Sequence, residues 1–210
     1  MAERNNGNMQ IEASHLDILR ELSNIGSGNA STALATMMNT KVDIGVPHCE
    51  LIPFSELTKA YSSPEEIIVS TVVQISGDME GFVMMNMPVP SACELLTVLT
   101  GERIDHAHIP YTELNEKLQP IAEVGNILIG AYLSALSSMG GMTITPSVPA
   151  LAVDMVMAVM NLPAVVYGEM GENALYMDTQ FISDDVEMTG QYYLVSTIES
   201  YSRLLTALGV

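Results

Sequence analysis

A segment of this chain occurs twice. Residues 16–47 recur as residues 118–149 without a gap, at an offset of 102. Leu16/Leu118, Glu21/Glu123, Asn24/Asn126, Ile25/Ile127, Gly28/Gly130, Ala33/Ala135, Leu34/Leu136, Met37/Met139, Val46/Val148 and Pro47/Pro149 are identical pairs. A duplicated fold must repeat its core. It need not repeat exposed polar positions, because most surface substitutions are nearly neutral. The copied polar residues therefore suggest a task that both copies perform.

The first copy opens on SHLDILRELSNIGSGNASTALATMM, residues 14–38, which reads as one long helix. Ser14 followed by Asp17 is a capping-box-like start. At about 100° per residue, Ile18, Leu19, Leu22, Ile25, Gly26, Ala30, Ala33 and Met37 fall in one arc and are expected to be buried. Asp17, Glu21 and Asn24 form a stripe on the opposite side, and Gly28 lies on it one turn later. A glycine inside a helix costs roughly 1 kcal/mol relative to alanine. Close approach of another molecule just past Asn24 is a use that offsets this cost.

The rest of the chain follows the same plan twice. Residues 1–13 read as a flexible lead. The first repeat, 14–101, continues with a strand over 41–53 bent at Pro47, a short helix over 54–61 and a turn at Ser62-Ser63-Pro64. Strands at 66–75 and 81–87 are joined at Gly77-Asp78, and a helix over 88–99 is closed by Gly101. Residues 102–111 are the linker. The second repeat, 112–210, has a helix over 112–139 broken or kinked at Pro120 and stopped by Gly140-Gly141, then a strand at 143–148. A helix is expected over 150–160, and strands at 164–167, 174–182 and 191–195. A turn falls at Asp184-Asp185, and a helix at 198–208 closes the chain. The expected fold is α/β in the α+β sense: two pseudo-symmetric helix-strand-hairpin-helix repeats sharing one sheet, with the two long helices side by side.

Charge narrows the function classes. A net charge of −18 with 7 basic residues argues against nucleic acid, whose phosphates need a basic patch, and against an anionic membrane surface. The most apolar run, 148–167, is interrupted by Pro149, Asp154, Asn161 and Pro163, so buried helix and strand is expected there, not a membrane span. The first ten residues carry no apolar stretch, so no signal peptide is expected. Cys49 and Cys93 have neither metal nor redox spacing, which suits a reduced, cytoplasmic setting. His106 and His108 read as linker surface, and His15 and His48 as ordinary. The 16 methionines suggest an adaptable core or a partner surface. Ser27 and Ser31 lie near the stripe without a His/Asp pattern to make either a nucleophile.

The pattern D-x-x-x-E-x-x-N, with a proline 23 residues after the asparagine, carries the chemistry. An acidic helix stripe is most often only a solvated face; its matched repetition favours a site. An amide holds a water by one donor and one acceptor, and a nearby carboxylate can pair with a partner's lysine. Together they can aim a water at a phosphoryl group carried by another protein. Such positioning supplies several kcal/mol without covalent chemistry.

On Asp17, Glu21, Asn24 and Pro47, and on Glu123, Asn126 and Pro149, the chain resembles the CheC/CheX/FliY phosphatases of chemotaxis. The resemblance extends over essentially the whole chain, including VGNILIGAYLSAL at 124–136. Two complete Glu/Asn sites are most similar to the CheC branch. The resemblance implies hydrolysis of the aspartyl phosphate on the response regulator CheY. Asn24 and Asn126 would orient the attacking water, Glu21 and Glu123 would bind the regulator's active-site lysine, and Asp17, Gly28, Gly130, Pro47 and Pro149 would support them. It implies no cofactor or metal of the chain's own; the Mg²⁺ is carried by the regulator. It also implies a second partner, the deamidase CheD, met by a helix in the second half on which Asp154 takes the place of the substrate glutamine. Asp154 reads equally as an ordinary helix N-terminal acid. One position departs from the family pattern: Gln119, followed by Pro120, stands where the first repeat has Asp17. Two other readings stay open, a non-enzymatic adaptor that sequesters the deamidase and a structural component of the flagellar switch.

Overall fold

A computed structural model describes residues 13–167, 173–183 and 187–209. The expected lead up to residue 12, the Ser14 capping side chain and the Asp184-Asp185 turn lie outside the described residues.

The chain begins with helix α1 (Ala13–Met38), then strands β1 (Asp43–Ile44) and β2 (His48–Pro53), and a 3-10 helix over Phe54–Ala60. The hairpin of β3 (Ile67–Gly77) and β4 (Gly81–Pro88) leads to α2 (Val89–Thr100). After the linker come α3 (Tyr111–Lys117) and α4 (Ile121–Gly140), then β5 (Ile144–Pro146) and β6 (Ala150–Met155). Helices α5 (Val156–Met160) and α6 (Leu162–Tyr167), the hairpin of β7 (Asn173–Ile182) and β8 (Glu187–Ser196), and α7 (Ile198–Ala207) complete the second half. Gly101 and Gly141 end α2 and α4 in the left-handed conformation, at φ 76° and 59°. An L side chain is strained there, and glycine is the usual helix terminator.

The eight strands found among the described residues form one fully antiparallel sheet in the order β1-β7-β8-β4-β3-β5, with β2 also on β7 and β6 also on β3. Hairpin β3–β4 meets hairpin β7–β8 in the middle, Met84 opposite Tyr193 and Asn86 opposite Gln191. The short strands cross over. β1 and β2 of the first half pair with β7 of the second, and β5 and β6 of the second half pair with β3 of the first. The repeats therefore exchange their edges.

Strand alternation divides the interior into two cores. On β4, Val83, Met85 and Met87 join Leu19, Leu22, Val124 and Leu128 beneath the two long helices. Phe82 and Met84 point the other way, to Val156, Tyr176 and Tyr193. Helices α1 and α4 pack side by side, as expected.

Three expectations are corrected. Residues 150–155 are a strand, because their backbone pairs with β3 from Val72 to Ile67; only 156–160 are helical. Residues 164–167 belong to helix α6, not to a strand. The buried arc of α1 is also turned, by roughly 60°. Ser23, Ser27 and Leu34 are buried with Leu19, Leu22, Gly26 and Ala30, while Ile25 is 37 % exposed. Small residues win the interior because α1 lies close against α4: a Cβ on Gly26 would stand 2.4 Å from Cδ1 of Tyr132.

Candidate functional site

Each long helix carries one copy of the polar stripe. On α1, Asp17, Glu21 and Asn24 are exposed. Arg20 Nη1 donates to Asp17 Oδ1 at 3.1 Å, an exposed pair of the kind that contributes little stability. On α4, Glu123 is exposed and Asn126 half-buried. None of Glu21, Asn24, Glu123 and Asn126 has a side-chain hydrogen bond or ion pair to another described residue. Their acceptors, and the amide donors, stay available to an incoming molecule.

The rotation that points Asn24 outward is set from behind by a buried triangle of hydroxyls. Ser27 Oγ lies 2.7 Å from Tyr132 Oη and 2.9 Å from Thr179 Oγ1, and Tyr132 Oη lies 2.8 Å from Thr179 Oγ1. Burial pushes the Tyr132 phenol above its usual pKa, so it stays neutral at ordinary pH. The triangle joins α1, α4 and β7, and sequence reasoning did not find it. The signal was the run of small residues Ser23, Gly26, Ser27 and Ala30 along one side of α1, the spacing that lets a neighbouring helix approach closely.

The second copy is supported differently. A Cβ on Gly125 would stand 2.4 Å from Thr71 Oγ1 of β3, so glycine is required next to Asn126. Ahead of it Pro120 is helical, at φ −62° and ψ −19°, and does not end the chain's helical path. Ile121, Ala122 and Glu123 donate their N–H groups to the carbonyls of Leu118, Gln119 and Pro120 at 2.9, 3.0 and 3.1 Å. This is a tightened three-residue turn, a kink joining α3 to α4. It places Glu123 in the first turn of α4. Gln119 turns back, its Nε2 donating to Asn115 O at 3.2 Å. The counterpart of Asp17 therefore takes no part in the second stripe.

Gly28 and Gly130 sit one turn past each asparagine, and a Cβ on either would meet nothing within 4 Å. No packing demand within the described residues accounts for these glycines. Pro47 and Pro149 mark the same irregularity in each half. Gly45 N donates to Gln180 O at 2.9 Å and His48 pairs with Asp178, so Val46 and Pro47 share the place opposite Thr179. Ser147 N donates to Gln74 O at 2.8 Å and Ala150 pairs with Val72, so Val148 and Pro149 share the place opposite Val73. Two residues against one is a β-bulge, where a proline's missing donor does no harm.

The remaining candidates lie apart from both stripes. Asp154 is exposed at the end of β6, paired with Ile68, and its Oδ1 accepts from Met155 N at 2.7 Å. It precedes α5 and is not on a helix, contrary to the sequence expectation. His108 Nδ1 lies 2.8 Å from Asp105 Oδ2 in the exposed linker, and His48 Nε2 lies 3.5 Å from Glu50. Cys49 is buried, and desolvation pushes its thiol up to about 12. Among the described residues no group of three His, Cys, Asp or Glu side chains is placed to hold a metal. One described helix, α4, is long and apolar enough to cross a membrane, and half of its most apolar window is buried within the fold.

Comparison with known proteins places this arrangement. The CheC-like family profile matches residues 15–50 and 121–153, two segments that each contain one Glu/Asn pair and one bulge proline. The CheY-P phosphatase CheC of Bacillus subtilis (strain 168) is 30% identical over 207 residues, covering 95% of this chain and 96% of that protein. Among solved structures, FliY of Thermotoga maritima superposes with a TM-score of 0.74 at 18% identity, covering 95% of this chain and 98% of that one. CheX in its complex with CheY, BeF3 and Mg²⁺ from Borrelia burgdorferi gives 0.55 at 19%, covering 82% and 96%. At such identities the two structures speak for the fold alone, whereas the relative from B. subtilis matches end to end. This chain belongs to the CheC-like family.

Proposed function

We propose that the chain is a chemotaxis phosphatase that hydrolyses the aspartyl phosphate of a CheY-type receiver, using both Glu/Asn pairs. The observation that carries this reading is the Glu and Asn at the same spacing on two helices, without side-chain partners among the described residues. The B. subtilis relative is a CheY-P phosphatase, and a CheX of the same fold forms a complex with CheY.

In this reading Glu21 or Glu123 pairs with the receiver's active-site lysine and fixes the docked orientation. The amide of Asn24 or Asn126 then holds a water in line with the phosphorus. The water oxygen forms the new bond to phosphorus as the bond to the aspartyl oxygen breaks. Aspartate leaves as a carboxylate, and the water's proton passes to the phosphate or the solvent. Mg²⁺ belongs to the receiver, where it neutralises phosphoryl charge. The protein supplies position, and positioning of a water for a transferring phosphoryl group is worth several kcal/mol. A cytoplasmic setting follows from the same reading.

A CheD-type deamidase is the second partner we propose, docking around Asp154. Exposure supports it: beside that carboxylate Met155 is 38 % and Met157 45 % exposed. Phosphate release from phosphorylated receiver with Mg²⁺ tests the main reading. Wild type accelerates it, and the Asn24→Ala/Asn126→Ala double variant does not while still binding the receiver. A double variant as fast as wild type overturns the assignment.

A further inference from the structure

Val46 is 95 % exposed and Val148 86 %, the two highest values among the large hydrophobic side chains described. A single exposed valine means little. These two are the same residue of the repeat, each standing on the bulge immediately before the bulge proline. Neither stabilises the fold by burial. A bulge re-aims a side chain away from the ladder and is common beside functional sites; here it does so identically in both halves.

Each bulge lies between two edge strands packed against the helix that carries a stripe, β1 and β2 against α1 and β5 and β6 against α4. Thr179, opposite Val46 and Pro47, hydrogen-bonds Ser27, which lies one turn from Asn24 and next to Gly28. In the second half Val73 lies opposite Val148 and Pro149; two residues along β3, Thr71 fills the space against Gly125, the neighbour of Asn126. Each stripe-bearing helix thus has open backbone at Gly28 or Gly130, and an exposed valine in the edge segment packed against it.

We propose that Val46 and Val148 are receiver-docking residues, each seating on an apolar side chain at the rim of the receiver's phosphorylation site. This rests on the proposed phosphatase reading and adds to it a division of labour. The Glu/Asn pair addresses the phosphoryl group and lysine; the valine supplies affinity by burial and acts before chemistry. It is a positioning residue, and its effect falls on KM and not on kcat.

The test is steady-state dephosphorylation by wild type, Asn24→Ala/Asn126→Ala, Val46→Ala/Val148→Ala and Val46→Ile/Val148→Ile. Binding to receiver loaded with BeF3 and Mg²⁺ is measured in parallel, and thermal unfolding confirms that the exposed substitutions leave the fold intact. Removing the buried methyl groups is expected to raise KM and Kd about tenfold with kcat unchanged, and the isoleucine variant to restore both. Active wild type with unchanged KM and Kd in the alanine variant overturns the docking role. So does a fall in kcat alone, or a wild-type dimer that the alanine variant dissociates while receiver affinity holds. An inactive wild type instead overturns the phosphatase reading, which keeps the two failures distinct.

Discussion

The two stripes carry the same side chains on differently built helices. The first lies well inside an uninterrupted α1, backed by hydroxyls shared with α4 and β7. The second starts in the first turn of α4, past a proline kink, and is backed by a glycine pressed on a threonine. Asn24 is exposed and Asn126 half-buried. What survives the difference is the outward Glu-x-x-Asn spacing and the open glycine one turn later. What varies is the scaffold that fixes helix rotation, so the stripe tolerates more than one support.

The comparison breaks most sharply at the amides. Asn24→Ala with Asn126→Ala is expected to lower phosphate release by roughly two orders of magnitude or more. Among the single variants, Asn24→Ala should remove the larger share, because its amide is the more accessible; single-turnover rates decide. Next come the two tight glycines. Gly26→Ala and Gly125→Ala each overpack a helix seam and should destabilise by about 1–3 kcal/mol in denaturant titrations. Only the second should be rescued by adding Thr71→Ala, since Thr71 Oγ1 is buried without a hydrogen-bond partner among the described residues and its loss costs little. Rescue of Gly26→Ala by that change would show that the two supports are not separate.

Tyr132→Phe keeps the ring and removes the hydroxyl that Ser27 and Thr179 share, at an expected cost of about 1–2 kcal/mol. Turnover at the first site should suffer more than at the second, measured in backgrounds carrying Asn126→Ala or Asn24→Ala. The same phenol gives a pH dependence. Its folded pKa is raised by burial, so the unfolded chain releases this proton first as pH climbs. The stability it contributes is complete below about pH 10 and declines above it; other buried phenols titrate in the same sense, so chemical unfolding of wild type and Tyr132→Phe at pH 9 and 11 reads its share as a smaller loss in the variant. The smallest effect is at the open glycines. Gly28→Ala and Gly130→Ala should each stabilise by up to about 1 kcal/mol, raising Tm, while slowing dephosphorylation through a methyl group in the partner's path.

Much of this was legible in the sequence because it is local or duplicated. The 102-residue offset revealed the paired helices, and turn chemistry placed Gly101, Gly141 and the β3–β4 hairpin. The elements that differ from expectation share a cause. ALAVDM at 150–155 is a short apolar run with no decisive period, and pairing with β3 of the other half makes it a strand. Val165 and Val166 favour strands by propensity yet sit in α6, where tertiary context prevails. Ile25 reads as inward for its hydrophobicity, but the seam with α4 selects residues for smallness, which an apolar count overlooks. The outward stripe was readable, whereas the Ser27–Tyr132–Thr179 triangle was not, because its members are 47 to 152 positions apart along the chain.

The exchange of β1 and β2 for β5 and β6 makes each half the custodian of its twin's bulge. Cutting the 102–110 connection ought to yield two fragments that remain clasped, since severing one peptide bond unties none of the swapped ladders. A lone half, by contrast, would expose a raw β-edge and have to recruit a second copy of itself to cover it.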